Sequence, residues 1–509
     1  MREYLSPGVY AEELNADIKS IFDVETGIVG FVGMTQRGTL CGTPAIVTSY
    51  MDFQKQFGGY LPKDLYGERR YLPLAVEQFF LNGGGRCFVM RVLDDTDAKL
   101  ACAKIGNVTF TAANVGAWGN LVKILCGKDS ANPTRYNLTL SCMDSENSKK
   151  VSYEENYMHV SLDEKSDGYI VTLLEKSLIV RAVVDKAFDD CFFEFTDEDE
   201  VLSTMMTGGA DCAAQSKPSG GINAAILKGS DGGAGKCTGL CAFEDVAQIS
   251  IIAAPGVTNA SEMAEVVAHC ESMGNRFCIL DMPSGIMQLT ELKAISSQVN
   301  SSFAARYYPW IKMYEPLEKH EVYCPPSGAI AGIYARVDNQ YGVHKAPANV
   351  AICGCIELET QISAAEQDMI NPLGINLIRA FPEKGFLVWG ARTCSGDAAL
   401  KYINVRRLLI FLKESIRCSI GWVAFEPNNQ MLWTMVSDSI TKYLGTQWRN
   451  GVMMGTSEAE AFFVKVGIGQ SMTQDDVLNN RMICQIGVAP MRPSEFITFE
   501  IVQATEKSS

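Results

Sequence analysis

Apolar residues in the first hundred positions come in short runs separated by glycine and polar loops. The run Gly27-Ile28-Val29-Gly30-Phe31-Val32-Gly33 has the length of a buried strand, and Ala45-Ile46-Val47-Thr48 reads as a second, shorter one. Residues 71–80 carry apolar side chains near helical spacing and stop at Asn82-Gly83-Gly84-Gly85, where glycine ends a helix without steric cost. Cys87-Phe88-Val89-Met90-Arg91-Val92 then resumes as a strand. Ahead of these, Gly8-Val9-Tyr10-Ala11-Glu12-Glu13-Leu14 follows a proline and partly alternates, which predicts an extended arm or edge strand.

Over residues 100–208 the pattern changes to short alternating segments, such as Tyr169-Ile170-Val171-Thr172-Leu173-Leu174, divided by polar turns like Asp144-Ser145-Glu146-Asn147. This predicts a mainly β insertion. Residues 248–281 then read as a βαβ unit: a strand at Ile249-Ser250-Ile251-Ile252-Ala253-Ala254, a helix, and a strand at Phe277-Cys278-Ile279-Leu280-Asp281. The helix has Asn259 and Glu262 in capping-box relation, an apolar stripe of Met263, Val266, Val267, Cys270 and Met273, and Gly274 as its stop. Such a unit favours parallel strands joined by a right-handed crossover. Two further helices are expected near 401–417 and 428–448, and the chain closes in a strand where Ile497, Phe499 and Ile501 share one face. The fold class is thus mixed α/β and α+β, multidomain.

Charge narrows the partners. A net charge of −15 on 509 residues argues against a phosphate-binding surface, since nucleic-acid binding depends on clustered Lys and Arg. No apolar run approaches the ~20 residues of a membrane helix, and the start of the sequence has no stretch of signal-peptide length, so synthesis in the bacterial cytoplasm without a signal peptide and no membrane insertion are expected. Seventeen cysteines spread from Cys41 to Cys484 are read as free, mostly buried thiols and not as a disulfide framework.

Candidate chemistry mostly dissolves on inspection. Gly229-Ser230-Asp231-Gly232-Gly233-Ala234-Gly235-Lys236-Cys237 lacks the first glycine of a phosphate loop and the hydroxyl residue after its lysine, so a glycine-rich turn is the better reading. The four histidines, His159, His269, His320 and His344, include no pair at zinc-helix spacing. Cys353-Gly354-Cys355 and Cys237 with Cys241 lack a second close cysteine pair, and Asp197-Glu198-Asp199-Glu200 reads as a solvated acidic run. Asp281, at a strand's C-terminal end, could face a ligand; alone it reads as a turn or cap residue. No catalytic residue, cofactor or metal site is assigned.

Several segments, in order, resemble contractile tail-sheath proteins. They begin with Pro7-Gly8-Val9-Tyr10, Phe57-Gly58-Gly59, Asn82-Gly83-Gly84-Gly85 and Gly116-Ala117-Trp118-Gly119-Asn120. The densest block runs from Tyr308-Pro309-Trp310 through Pro325-Pro326-Ser327-Gly328, Ala331 to Asp338, Lys345-Ala346-Pro347-Ala348-Asn349 and Asn371-Pro372-Leu373-Gly374-Ile375-Asn376 to Val388-Trp389-Gly390-Ala391-Arg392-Thr393. The likeness is thin over 100–220, where sheath proteins differ by inserted domains.

The resemblance implies a linker arm over 1–20, an α/β sheath domain from 21–99 with 209–365, a mainly β outer insertion over 100–208, a C-terminal core facing the tube over 366–493, and a strand arm over 494–509. It implies a subunit that polymerises as stacked hexameric rings around an inner tail tube and contracts to drive the tube through a cell envelope. The implied partners are further copies of the chain, the tube protein, and baseplate and terminator or cap proteins. Inter-subunit strands would use Val9, Tyr10, Ala11, Glu12, Ile497, Phe499 and Ile501. Arg406, Lys413 and Arg417 fall on one arc of the predicted 401–417 helix and could face an acidic tube, or be a solvated basic face. Trp389 and Arg392 are expected to support the core. A non-contractile self-associating tail or surface protein, and an enzyme on the βαβ domain, are the alternatives.

Overall fold

The computed structural model describes residues 20–129, 132, 134–144, 150–185, 193, 201–212, 221–233, 235–286, 288–317 and 319–495. Both predicted arm strands, with Val9, Tyr10, Ala11 and Glu12 at one end and Ile497, Phe499 and Ile501 at the other, and the acidic run 197–200 lie outside the described residues. The chain divides into two compact units, one of Glu25–Arg407 and one joining the start of the chain through Val24 to the residues from Leu408 on.

The first unit is built on a nine-stranded sheet: β1 (Val29–Gly33), β2 (Ala45–Val47), β3 (Cys87–Arg91), β4 (Ile251–Ala253), β5 (Phe277–Asp281), β6 (Ala304–Tyr308), β7 (Val350–Ala351), β8 (Ile375–Phe381) and β9 (Gly385–Trp389). Its spatial order is β7-β9-β8-β6-β5-β4-β1-β3-β2, with the six strands from β8 to β3 parallel and the edges antiparallel. Parallel strands are covered on both faces, which is why β1, β3, β5 and β6 read as nearly continuous apolar runs and are buried along their length. Because β8 and β9 hydrogen-bond into this sheet, the unit continues past the expected boundary at 365 to Arg407.

Helices α1 (Leu72–Leu81), α2 (Ala260–Met273) and α3 (Ser327–Tyr341) pack on the sheet. In α2 the expected capping box is replaced: Asn259 accepts from Ser261 N–H, while the Glu262 carboxylate turns away to pair with Arg69 at 2.5 Å. Gly274, at φ 62°, ends the helix as predicted. Helices α1 and α3 cross closely because Gly328 and Gly332 face α1; a Cβ on either would stand 2.3–2.4 Å from the carbonyl oxygen of Ala75 or Phe79. Arg407, buried behind α3, donates to both oxygens of Asp338 at 2.9 and 2.6 Å and lies over the Tyr334 ring.

The insertion leaves the sheet after β3 and returns before β4. Four antiparallel strands (Val201–Met205, Val122–Lys128, Tyr136–Met143, Val151–Val160) and three more (Cys102–Ile105, Val108–Ala112, Val180–Val184) enclose one core around Phe110, Ile124, Leu140 and Trp118. Asn120 exchanges hydrogen bonds with the backbone of Gly209 at 2.9 and 2.8 Å, closing the insertion's two ends on each other. The segment read as an alternating strand at 169–174 is instead a helical turn, Ile170–Leu174. Residues i and i+4 share a face in a strand and in a helix alike, so the buried pair Ile170 and Leu174 does not separate the two in so short a run.

Buried Arg37 holds the insertion to the sheet domain. Its guanidinium donates to the carbonyls of Gln54 and Lys55 at 3.1 and 2.9 Å, reaches Cys142 Sγ at 3.4 Å, and faces the rings of Trp118 and Tyr153.

The second unit contains α4 (Ile403–Ser419) from Leu408 on, α5 (Gln430–Arg449) and a two-stranded antiparallel sheet of Phe462–Val466 and Cys484–Val488. Asn429 caps α5 by accepting from Leu432 N–H.

Candidate functional site: open strand edges and a basic helix face

The place where a doubly wound sheet would bind a ligand is filled by the chain itself. Strand order reverses between β1 and β4, and the crevice beyond their C-terminal ends is where such sheets hold cofactors. Here Arg69 donates to Gly256 O at 2.8 Å and pairs with buried Glu262. Asp281, at the end of β5, accepts from Gly256 N–H at 3.2 Å and from Ser327 N–H and Oγ–H at 2.9 and 2.7 Å. It is thus the cap of α3, as the cap reading of the sequence expects. Burial pushes its carboxyl up to about 6 despite the three hydrogen bonds.

The glycine-rich stretch 229–237 lies between the short helix Ala224–Lys228 and the 3₁₀ turn Gly239–Phe243, so it lacks the preceding strand of a phosphate loop. It forms a turn closed by Lys236 N–H to Gly233 O and pinned by Gly42 N–H to Cys237 O. Among the described residues no group of three or more His, Cys, Asp and Glu side chains converges as a metal site.

The second unit ties down the start of the described chain and carries a small sheet of its own. The backbone N–H groups of Phe22 and Val24 donate to Ser419 Oγ and Ser415 Oγ at 3.0 and 3.1 Å, and the Asp23 carboxylate accepts from Tyr443 O–H and Gln447 Nε2–H, both at 2.8 Å. Residues 22–24 are thereby fastened to α4 and α5.

The sheet of Phe462–Val466 and Cys484–Val488 pairs only with itself among the described residues. Phe462, Val464 and Val466 alternate toward α5, with Phe462 buried, while Phe463 and Lys465 point out. The Phe463 ring covers the opposite Gly487, where a Cβ would stand 2.2 Å from a ring carbon. Beyond Val488, Ala489 N–H donates to Ala461 O, and Met454 N–H covers Ala489 O on the other side. Among the described residues no further strand pairs with the remaining outer edges, whose backbone donors and acceptors a strand can bond. Neither strand is among the sequence expectations. The alternation in Phe462-Phe463-Val464-Lys465-Val466 is the signal that could have found them.

The expected basic arc on α4 is partly realised. Lys413 and Arg417 are exposed, with Arg417 held by Glu414 one turn back at 2.8 Å. Arg406 belongs to the first unit, where its guanidinium stacks on the Phe303 ring at 3.5 Å. Arg392 is buried, its backbone N–H donating to Asn376 Oδ1 and its carbonyl accepting from Asn376 Nδ2, and its guanidinium donating to Asn371 O. Trp389 is half-exposed against Phe381.

Comparison with known proteins agrees with these features. Residues 233–394 match the family profile described as phage tail sheath protein central domain, and residues 395–504 match that of the phage tail sheath C-terminal domain, together just over half of the chain. The chain is 23% identical over 472 residues to the tail sheath protein of Burkholderia phage BcepMu, covering 88% of this chain and 87% of that protein. In fold it is similar to the anti-feeding prophage helical sheath in the contracted state, with a TM-score of 0.59 and 23% identity over 99% of this chain and 100% of that one. A sheath tail protein from Listeria innocua gives a TM-score of 0.60 at 12% identity, over 92% of this chain and 96% of its own. The chain therefore belongs to the phage tail-sheath family, as a structural subunit of a contractile tail sheath.

Proposed function

We propose that the chain polymerises as stacked hexameric rings around an inner tube, linked by terminal arms that add strands to the open sheet of neighbouring copies. The observation that supports this reading is the self-paired sheet Phe462–Val466 with Cys484–Val488, whose outer edges have no strand partner among the described residues. Val9, Tyr10, Ala11 and Glu12 on one arm and Ile497, Phe499 and Ile501 on the other are the strand-forming segments that such edges take by main-chain hydrogen bonding. Strand exchange suits a lattice that must shear, because a covalently attached arm keeps neighbours linked while their domains slide.

Contraction then needs no nucleotide. The extended lattice is metastable, a baseplate signal releases it, and each further ~100 Å² of apolar interface favours the contracted form by roughly 2.5 kcal/mol before ordering costs, summed over all subunits. The tube is held by polar contacts from Lys413 and Arg417, with Arg406 as a further candidate, so that it can be released. The baseplate binds one end of the polymer and a terminator or cap protein the other. The insertion over 100–208 decorates the outside, and the finished sheath belongs to a virion tail or related contractile particle.

Negative-stain electron microscopy of the purified chain, with and without residues 1–19, tests the arm. Hollow wide tubes from the intact chain and single particles from the truncated one are expected. Tubes from both would remove the N-terminal arm as the link. Filaments that never shorten when baseplate and tube are supplied would favour the non-contractile reading.

A further inference from the structure

A cleft of about 580 Å³ opens at the N-terminal ends of β6 and β8, the end of the sheet opposite the filled crevice. Its wall includes Val299 and Asn300 ahead of β6, Gly374 ahead of β8, and Arg392, Cys394 and Lys401 from the loop that leads into α4. No Asp or Glu lines it. The carboxylate in the same loop, Asp397, is exposed and accepts from Ala399 N–H at 2.9 Å.

Arg306 of β6, which has no exposed surface, lies against two residues of this wall. Its Nη2 donates to the carbonyl of Val299, and its positive charge acts on the Cys394 thiol. Both of those residues are part of the cleft wall. Its Nε and Nη1 have no partner among the described residues. The buried arginines Arg69, Arg70 and Arg407 each face a carboxylate, Glu262, Glu315 and Asp338, whereas Arg37, Arg91 and Arg276, like Arg306, donate to carbonyls; of these four, Arg306 is the one beside the cleft. A buried guanidinium matched only by a carbonyl is costly, and the cost falls sharply when an anion approaches. Arg392 and Lys401 are the two cations of the wall itself.

We propose that this cleft binds a phosphate-class oxyanion. Two cations in the wall, a third buried beside it and no lining carboxylate call for more than one negative charge, which phosphate carries near neutral pH and a single carboxylate does not. Arginine's planar donors suit its tetrahedral oxygens. Ser395, in the cleft wall, accepts from Asp397 N–H at 3.1 Å, which leaves its own hydroxyl proton to donate. The anion would also fix residues 392–401, the loop from which α4 starts.

Equilibrium dialysis of the full chain against radiolabelled orthophosphate at constant ionic strength tests the site. Wild type is expected to take up close to one phosphate per chain, displaced by unlabelled pyrophosphate and not by succinate. Lys401→Glu, at the half-exposed rim where a change of sign leaves the fold intact, should weaken binding at least tenfold. Arg306→Met should abolish it while unfolding in phosphate-free buffer at or above the wild-type temperature, because it removes an unmatched buried charge; an arginine serving only the fold would instead lower that temperature. Absence of saturable uptake by wild type, undiminished uptake by Lys401→Glu, or equal displacement by succinate would overturn the assignment.

Discussion

Asp281 joins three parts of the first unit through one carboxylate: the end of β5, the turn at Gly256 and the first residue of α3. The desolvation that raises its carboxyl to about 6 outweighs the hydrogen bonds that act the other way. A group whose folded value is raised stabilises the fold fully below its unfolded value of 3.8, and that contribution is lost as pH rises through about 6. The difference corresponds to about 3 kcal/mol across this window. Denaturant unfolding of wild type and Asp281→Asn at several pH values between 4 and 7 should therefore show wild type losing stability relative to the variant as pH rises. The variant's own mismatch with its donors adds an offset without slope. A constant difference between the two would show that Asp281 is as ionised in the fold as in the unfolded chain. Position was legible here, since an aspartate ending a predicted strand is visible in sequence. Its partners were not, because Ser327 lies 46 residues away and nothing local announces the contact.

Among the elements, those with long apolar runs and clear stops were legible: β1, β3, the βαβ unit, α1, α4 and α5. Those whose identity depends on distant partners were not. Glu262 stands at capping-box spacing and goes to Arg69 instead, since a buried ion pair 193 residues apart in sequence leaves no local trace. The α1–α3 crossing was equally hidden, although Gly328 and Gly332 are spaced one helical turn apart as a close crossing requires. Gly332→Ala is expected to cost about 1–3 kcal/mol through overpacking, because the clash is with the Phe79 carbonyl and the Asn82 Cβ and no flexible side-chain end can yield. Urea unfolding would read that loss. A variant as stable as wild type would mean that the two helices separate at little cost.

The open sheet offers a sharper test of assembly. Ala489 donates to Ala461 in the register that pairs Phe462 with Val488, so hydrogen-bonded pairs alternate through 463/487 and 465/485, and the N–H of Ile486 points away from its partner strand. Ile486→Pro removes an outward donor without removing a ladder bond. It should lower subunit stability by about 1 kcal/mol and yet abolish or strongly reduce tube formation in electron micrographs if that edge takes a neighbour's arm. Normal tubes would assign strand addition to the Phe462–Val466 edge alone.

For the whole molecule, charge sets two opposing demands. Each subunit carries −15, so a polymer of many copies works against its own repulsion. Strand addition and apolar contact are short-ranged and little affected by salt, whereas repulsion between exposed charges is screened within about 10 Å at 0.1 M and about 3 Å at 1 M. Self-assembly of the chain should accordingly increase as sodium chloride is raised from about 0.05 to 0.5 M. The proposed docking onto preformed tubes through Lys413 and Arg417 relies on attraction between exposed groups and should weaken over the same range. The two responses can be separated by pelleting the chain alone and with its tube protein, using wild type and the variant carrying Lys413→Glu with Arg417→Glu. This variant is expected to self-assemble at least as readily at high salt, because its helix face meets no demand there, and to lose tube docking at low salt. If it docks as well as wild type, the exposed cations of α4 form a solvated face and the tube is held elsewhere. If wild-type self-assembly falls with salt, the subunit contacts are ion pairs between patches of opposite sign, and strand exchange is not their main source of strength.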